Sequence, residues 1–161
     1  MQHLETFARK EAERFKLKVG VFLCLITNDQ ILLLRRYQTG IQDGMYVLPM
    51  GGHDGKIPLT QALVREAQEE TDIIIQPNQA EVCHVMHRFH PMPQGLSFEQ
   101  IDVFFKVSTY EGVITNMEPD KCDELKFHPL HQLPPTTAPF IRSALGSIQQ
   151  GKLYSEFGWP Q

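Results

Sequence analysis

Residues 51 to 73 read GGHDGKIPLTQALVREAQEETDI, and the segment carries its own structural instructions. Pro49-Met50-Gly51-Gly52 reads as a strand end running into a glycine turn, where the backbone is least restricted. Pro58 then stands at the first position or N-cap of a helix, where its missing N–H costs little. Leu59, Ala62, Leu63 and Ala67 give that helix, which runs to about Thr71, an apolar side. Glu66, Glu69 and Glu70 project together with Arg65 beside them, because positions i, i+3 and i+4 share one face. Three carboxylates within one turn repel one another, and a helix gains nothing by them unless a cation sits among them. Hard oxygen ligands suit Mg²⁺ or Mn²⁺, which recruit a few carboxylates and share their remaining positions with water and substrate phosphates. A solvated acidic face is the commoner meaning of a charge run. The glycine turn feeding straight into this helix favours the metal.

Working outward, Lys18 to Thr27 (KVGVFLCLIT) is an apolar run of strand length that stops at Asn28-Asp29. Ile31 to Leu34 resumes it, which predicts a hairpin around Asn28-Asp29-Gln30. Arg35-Arg36 closes the second strand, and a polar loop through Gly40 and Gly44 leads to a short strand over Tyr46 to Pro49. Glu81 to His90 and Ile101 to Tyr110 read as longer strands, with Val113-Ile114 extending the sheet and Glu124 to His128 adding a short strand. Phe140, Ile141, Ala144, Leu145 and Ile148 predict a second amphipathic helix within residues 139–151. Leu4, Phe7, Ala8, Ala12 and Phe15, interleaved with charges, predict a short helix packed on the domain. The order of strands, helix, strands, helix implies an α/β fold with a mixed β-sheet flanked by helices. A single domain over residues 1–161 is expected, with 1–17 as a helical extension.

Composition narrows the function. With 15 Lys+Arg against 19 Asp+Glu the formal charge is −4, and there is no basic block of the kind tight nucleic-acid binding requires. A phosphorylated small molecule is not excluded, since a metal can neutralise its charge. The chain has 161 residues, 42% of them hydrophobic, enough for a real core. Three cysteines, an odd number without paired short spacing, read as reduced thiols of a cytoplasmic protein. No apolar run approaches the ~20 residues of a membrane span, and the N-terminus lacks the shape of a signal peptide.

Arg65-Glu66-x-x-Glu69-Glu70, with Ile73 closing the segment, resembles the Nudix hydrolase signature G-x5-E-x7-R-E-U-x-E-E-x-G-U, where U is a bulky aliphatic residue. The chain departs from it in several places: counted from Gly51, Ile57 stands where the first Glu belongs; counted from Gly52, the loop is one residue short; Asp72 replaces the late Gly, and Ala67 is small. The resemblance implies the Nudix α/β/α sandwich and Mg²⁺-dependent hydrolysis, with Mn²⁺ as a substitute, of a nucleoside diphosphate linked to a further group. Arg65, Glu66, Glu69 and Glu70 become the catalytic candidates. Glu66, Glu69 and Glu70, a glycine carbonyl at Gly51 or Gly52, and Glu118 become the metal candidates. Glu118 enters because MutT-type members place a loop Glu there, with Glu124 and Asp120 as substitutes. Arg36, Tyr46 and His53 are the substrate-binding candidates; MutT-type proteins carry an Arg-Arg pair at this strand end and use the second for the base. His53 directly follows the double glycine, where a helix-entry hydrogen bond would also explain it.

A nucleoside triphosphate giving monophosphate and pyrophosphate is the expected substrate, with ADP-ribose or a nucleotide sugar as the alternative. The small nucleotide is the expected partner, and a homodimer is an admissible assembly. A non-catalytic nucleotide-binding module is a further reading, favoured by Ile57 and opposed by the intact acidic block; net charge disfavours an RNA-cap hydrolase. His84, His87 and His90 cannot converge on one zinc from a strand, where His84 and His90 share a face and His87 takes the other. Cys122 has no His at a recognisable spacing and reads as packing. The tail with Trp159 is expected either to pack across the domain or to stack on a base.

Overall fold

The computed structural model describes residues 2–160. Its elements are α1 (Gln2–Glu13), β1 (Lys18–Thr27), β2 (Gln30–Arg36), β3 (Tyr46–Val47), β4 (Met50–Gly52), α2 (Leu59–Thr71), β5 (Glu81–Pro91), β6 (Ser97–Val107), β7 (Cys122–Pro129), α3 (Pro139–Gln149) and β8 (Tyr154–Phe157). The expected hairpin forms, because Asn28 and Asp29 adopt φ of 48° and 58°. Such left-handed pairs make the two-residue turns whose twist matches that of the flanking strands, and Asn and Asp tolerate them.

The strands build one mixed sheet in the order β3-β2-β1-β6-β5-β8, with β4 paired to β1 and β7 to β2. β1 runs parallel to β6, and β5 parallel to β8. Residues 21–25 of β1 are all apolar because both faces of the strand are buried there. Val21, Leu23 and Leu25 pack on the side of α2 with Ala62, Leu63 and Ala67. Phe22 and Cys24 pack on the other side with Phe140, Ile141 and Ala144 of α3. The result is the α/β/α sandwich expected from the sequence.

Several details differ from expectation. Met50–Gly52 is itself a strand, held antiparallel to Gly20–Phe22, so the glycine turn is anchored to the sheet. Val113 is 77% exposed and lies outside the strands; the nearby pairing is an isolated bridge between Ile74 and Glu111. The N-terminal helix forms but does not pack on the domain: Leu4, Phe7 and Phe15 are 72%, 59% and 76% exposed. Asp72, in place of the signature glycine, ends α2 at φ 58° with its N–H bonded to Gln68 O, a left-handed cap that Asp can adopt.

Candidate active site

Three elements assemble the site, and a glycine sets their spacing. Gly51 lies opposite Val21 in the β1–β4 ladder, directly beneath α2. A Cβ at position 51 would fall 1.9 Å from Cδ of Glu66, so any side chain there would occupy the space of the carboxylate. Arg65 Nη2 donates to Glu66 Oε1 at 2.6 Å and to the Gly52 carbonyl at 3.2 Å, and it lies 3.5 Å from Asp54 Oδ2. The arginine thus ties the acidic helix to the glycine strand and the loop. Ile57 packs against the core on the α2 side, and its carbonyl lies 2.6 Å from His53 Nε2. His53 therefore closes the helix-entry loop.

Glu66, Glu69, Glu70 and Glu118 line a common cavity of about 500 Å³, with Arg36 and Lys121 as its cations. Burial pushes the Glu70 carboxyl up to about 8; Glu66 and Glu118 push the same way, against the pull of the Met50 N–H. That N–H donates to Glu70 Oε2 at 2.8 Å. Burial also raises Glu66, opposed by Arg65. Glu118 Oε1 accepts from Lys121 Nζ at 2.6 Å. Among the described residues no three His, Cys, Asp or Glu side chains stand preassembled around one point; Glu66, Glu70 and Glu118 are each turned to a partner of their own, Arg65, the Met50 N–H and Lys121. The donor set nonetheless fits a hard divalent cation: it is all oxygen, it carries excess negative charge, and among the described residues Glu70 has a backbone N–H and no cation as its hydrogen-bond partner.

Arg36 and Met50 also line a second cavity, of about 180 Å³, on the α3 side of the sheet. The loop after β2 fixes Arg36, whose Nε donates to the Ile41 carbonyl at 2.7 Å and Nη2 to Thr39 Oγ1 at 2.9 Å. Asp43 in turn accepts from Thr39 and Gly40 N–H. Arg35 faces away, in a bidentate pair with Asp123. The structure thus brings Arg36 to the cleft with the acidic cluster. Tyr46 and His53 line neither cavity. Tyr46 is buried, and its hydroxyl donates to Glu124 Oε1. Glu124 is also held by Lys126 Nζ at 2.8 Å, outside the residues lining the acidic cavity, whereas Glu118 lines it.

The three histidines have separate partners. His84 is buried between the Lys152 carbonyl and Ser155 Oγ, His87 meets Glu99 and the ring of Trp159, and His90 stacks on Phe98. Trp159 packs across β5, its Nε1 donating to the His87 carbonyl at 3.1 Å. Three residues lining or flooring the second cavity escaped the sequence reading. Arg88, Gln100 and Asp102 are all buried, and Arg88 Nε donates to Asp102 Oδ2 at 2.6 Å. The available signal was Gln100-x-Asp102, two polar residues on one face of the strand, between Phe98 and Phe104. Asp54 was also missed, and a loop acid carries no signal of its own.

The comparisons agree with this geometry. The profile of the family described as NUDIX domain matches residues 16–145. A MutT NUDIX hydrolase from Burkholderia pseudomallei superposes with TM-score 0.72 at 24% identity, covering 82% of this chain and 98% of that one. A mutator MutT protein from Bacillus halodurans gives 0.70 at 19%, covering 87% and 88%. A UDP-X diphosphatase gives 0.61 at 17%, covering 95% and 73%. No curated protein sequence matches significantly. At these identities the solved structures establish the fold, and the profile, which spans most of the chain, establishes the family. The chain belongs to the NUDIX family and is a Nudix hydrolase, of the class acting on nucleoside diphosphates joined to a further group.

Proposed function

We propose that the protein hydrolyses a nucleoside triphosphate to the monophosphate and pyrophosphate, with Mg²⁺ as the natural ion and Mn²⁺ as a substitute. One observation carries this reading. A cavity lined by Glu66, Glu69, Glu70 and Glu118 adjoins an aromatic-lined cavity, and Arg36 and Met50 belong to both. Phosphates and a base, joined by a ribose, need two such compartments side by side. Held by these carboxylates and by a Gly51 or Gly52 carbonyl, a divalent ion supplies charge neutralisation at the pyrophosphate and makes water more acidic.

The chain's own residues do the rest. Arg65 holds Glu66 by its 2.6 Å bond and limits repulsion within the acidic turn. Arg36, fixed by its loop, offers its charge at the junction where phosphate and nucleoside meet. Glu118 or a glutamate of α2 accepts the proton as water attacks phosphorus. Tyr46 and His53, substrate-binding candidates by sequence, act in this reading through position: Tyr46 braces β3 against β7, and His53 sets the loop ahead of α2. The non-catalytic alternative is disfavoured, because Arg65 keeps three oxygen partners without the signature's first Glu.

Free cysteines suit a cytoplasmic enzyme, and no helix among the described residues is long and apolar enough to span a membrane. With a formal charge of −4, a small nucleotide is a better partner than a nucleic acid. The test is incubation with Mg²⁺ and a panel of nucleoside triphosphates, ADP-ribose and nucleotide sugars, with both phosphate-containing products identified by mass. Monophosphate and pyrophosphate from a triphosphate are expected. Turnover of ADP-ribose or a nucleotide sugar alone would move the assignment within the family.

A further inference from the structure

We propose that the smaller cavity reads an imide edge, the acceptor–donor–acceptor pattern of two ring carbonyls flanking an N–H, and so selects uracil, thymine or xanthine over cytosine and adenine. The inference rests on the nucleotide-hydrolase reading of the site and names the base it would take. Gln100 and Arg88 are opposed in the β5–β6 ladder, each only 6% exposed, and both line the cavity. Asp102, fully buried beneath them, accepts from Arg88 Nε at 2.6 Å and from Gln100 Nε2. An ionised carboxylate can only accept hydrogen bonds. Asp102 therefore fixes which way the Gln100 amide points, because turning it over would set its carbonyl oxygen against a carboxylate oxygen.

That orientation decides what the cavity presents. Gln100 Oε1 accepts from no donor among the described residues, and its remaining N–H is likewise free for a ligand. Arg88 keeps Nη1 unpaired among the described residues, while its guanidinium lies 4.0 Å from the centroid of the Phe140 ring. No Asp or Glu lines the cavity among the described residues, whereas Lys18 and Arg36 do. The groups left for a ligand are thus one amide acceptor, Gln100 Oε1, and donors on Gln100 and Arg88. Phe22, Phe98 and Phe140 supply apolar walls, which suit a flat ring better than a bare anion.

An imide ring satisfies these groups: its N–H meets Gln100 Oε1, and its carbonyls meet the N–H groups of Gln100 and Arg88. Cytosine would place its ring-nitrogen acceptor against Oε1 and its amine against donors; adenine would do the same. Guanine matches two of the three positions. A site built to hydrogen-bond one pattern rejects another strongly, because its own buried groups are left unpaired.

The experiment measures calorimetric binding of UMP, TMP, XMP, GMP, CMP and AMP to the natural protein with Mg²⁺. UMP methylated at N3 is included, along with the rates on UTP and CTP. Expected are UMP, TMP and XMP at least ~10-fold tighter than CMP and AMP, with N3 methylation removing the advantage. Gln100→Met should erase the difference between UMP and CMP, and the methylated probe makes the same test on the unaltered chain. Equal or tighter binding of CMP or AMP would overturn the proposal, as would undiminished binding of the methylated probe or no binding of any monophosphate. If the expected order appears and no triphosphate is hydrolysed, base selection stands and the hydrolase reading alone fails.

Discussion

Ile57 occupies the place of the first glutamate in the family signature, and its surroundings explain how the site manages without that acid. Its side chain packs against the α2 side of the core, while Arg65 draws on Glu66, the Gly52 carbonyl and Asp54. Ile57→Glu should therefore change the rate only modestly and lower the melting temperature, because burying a polar group costs at least about 1–3 kcal/mol. A large gain in turnover would mean that the natural loop is disabled. Glu69→Gln or Glu70→Gln keeps the shape and removes a ligand charge. Either change should cost at least ~10²-fold in rate with little loss of fold, since charge stabilisation by a metal is worth several kcal/mol. Near-natural rates in both variants, measured in the same Mg²⁺ assay, would refute the metal assignment. The acidic block was legible because helical spacing alone puts its members on one face. The support of Arg65 by Asp54 was not, because it depends on how a short loop folds back.

At the scale of elements, the loop before β7 delivers Glu118 and the strand itself carries Glu124, and the two serve different structures. Glu118 reaches the acidic cavity from a loop tied to α2, with Met117 N–H bonded to the Glu70 carbonyl at 3.3 Å. Glu124 instead joins Tyr46 and Lys126. Glu118→Gln should lower the rate and weaken Mg²⁺ affinity in a titration of activity; Glu124→Gln should reduce thermal stability and leave Mg²⁺ affinity alone. The opposite pattern would show that the metal site draws on β7. Hairpin, helices and long strands were readable from periodicity and turn residues. β4 and β8 were missed because three or four residues give no period, and their pairing is set by distant strands. The N-terminal pattern predicts the helix that forms but not its exposure, since an amphipathic pattern does not say what covers it.

For the molecule as a whole, the sandwich brings four acids into one cleft and buries the Glu70 carboxyl there, and this links stability to pH and to metal. Glu70 has its carboxyl raised from its ordinary value of 4.5 to about 8, burial being the first cause. A raised carboxyl binds its proton more tightly in the folded chain, so its favourable contribution is complete below about 4.5 and is lost as pH rises through about 8. In metal-free buffer the melting temperature should fall across that window, Glu70→Gln should flatten the slope, and Mg²⁺ should restore stability at the alkaline end. Melting curves in chelator at several pH values check this; a flat profile for the natural protein would contradict it. The fold class and acidic cluster followed from local sequence, whereas the two-compartment cleft did not, because β1, β2, β4, β5, β6 and α3 all contribute to it.

In the proposed function, the acidic compartment and its aromatic neighbour form one site where a nucleotide is cleaved. The direct measurement is mass identification of both products after incubation with a nucleoside triphosphate, with and without Mg²⁺, for the natural protein and Glu70→Gln. Expected are monophosphate and pyrophosphate from the natural protein with Mg²⁺, almost none without it, and at least ~10²-fold less from the variant. Diphosphate and orthophosphate as products, or equal rates without the ion, would contradict the proposed function.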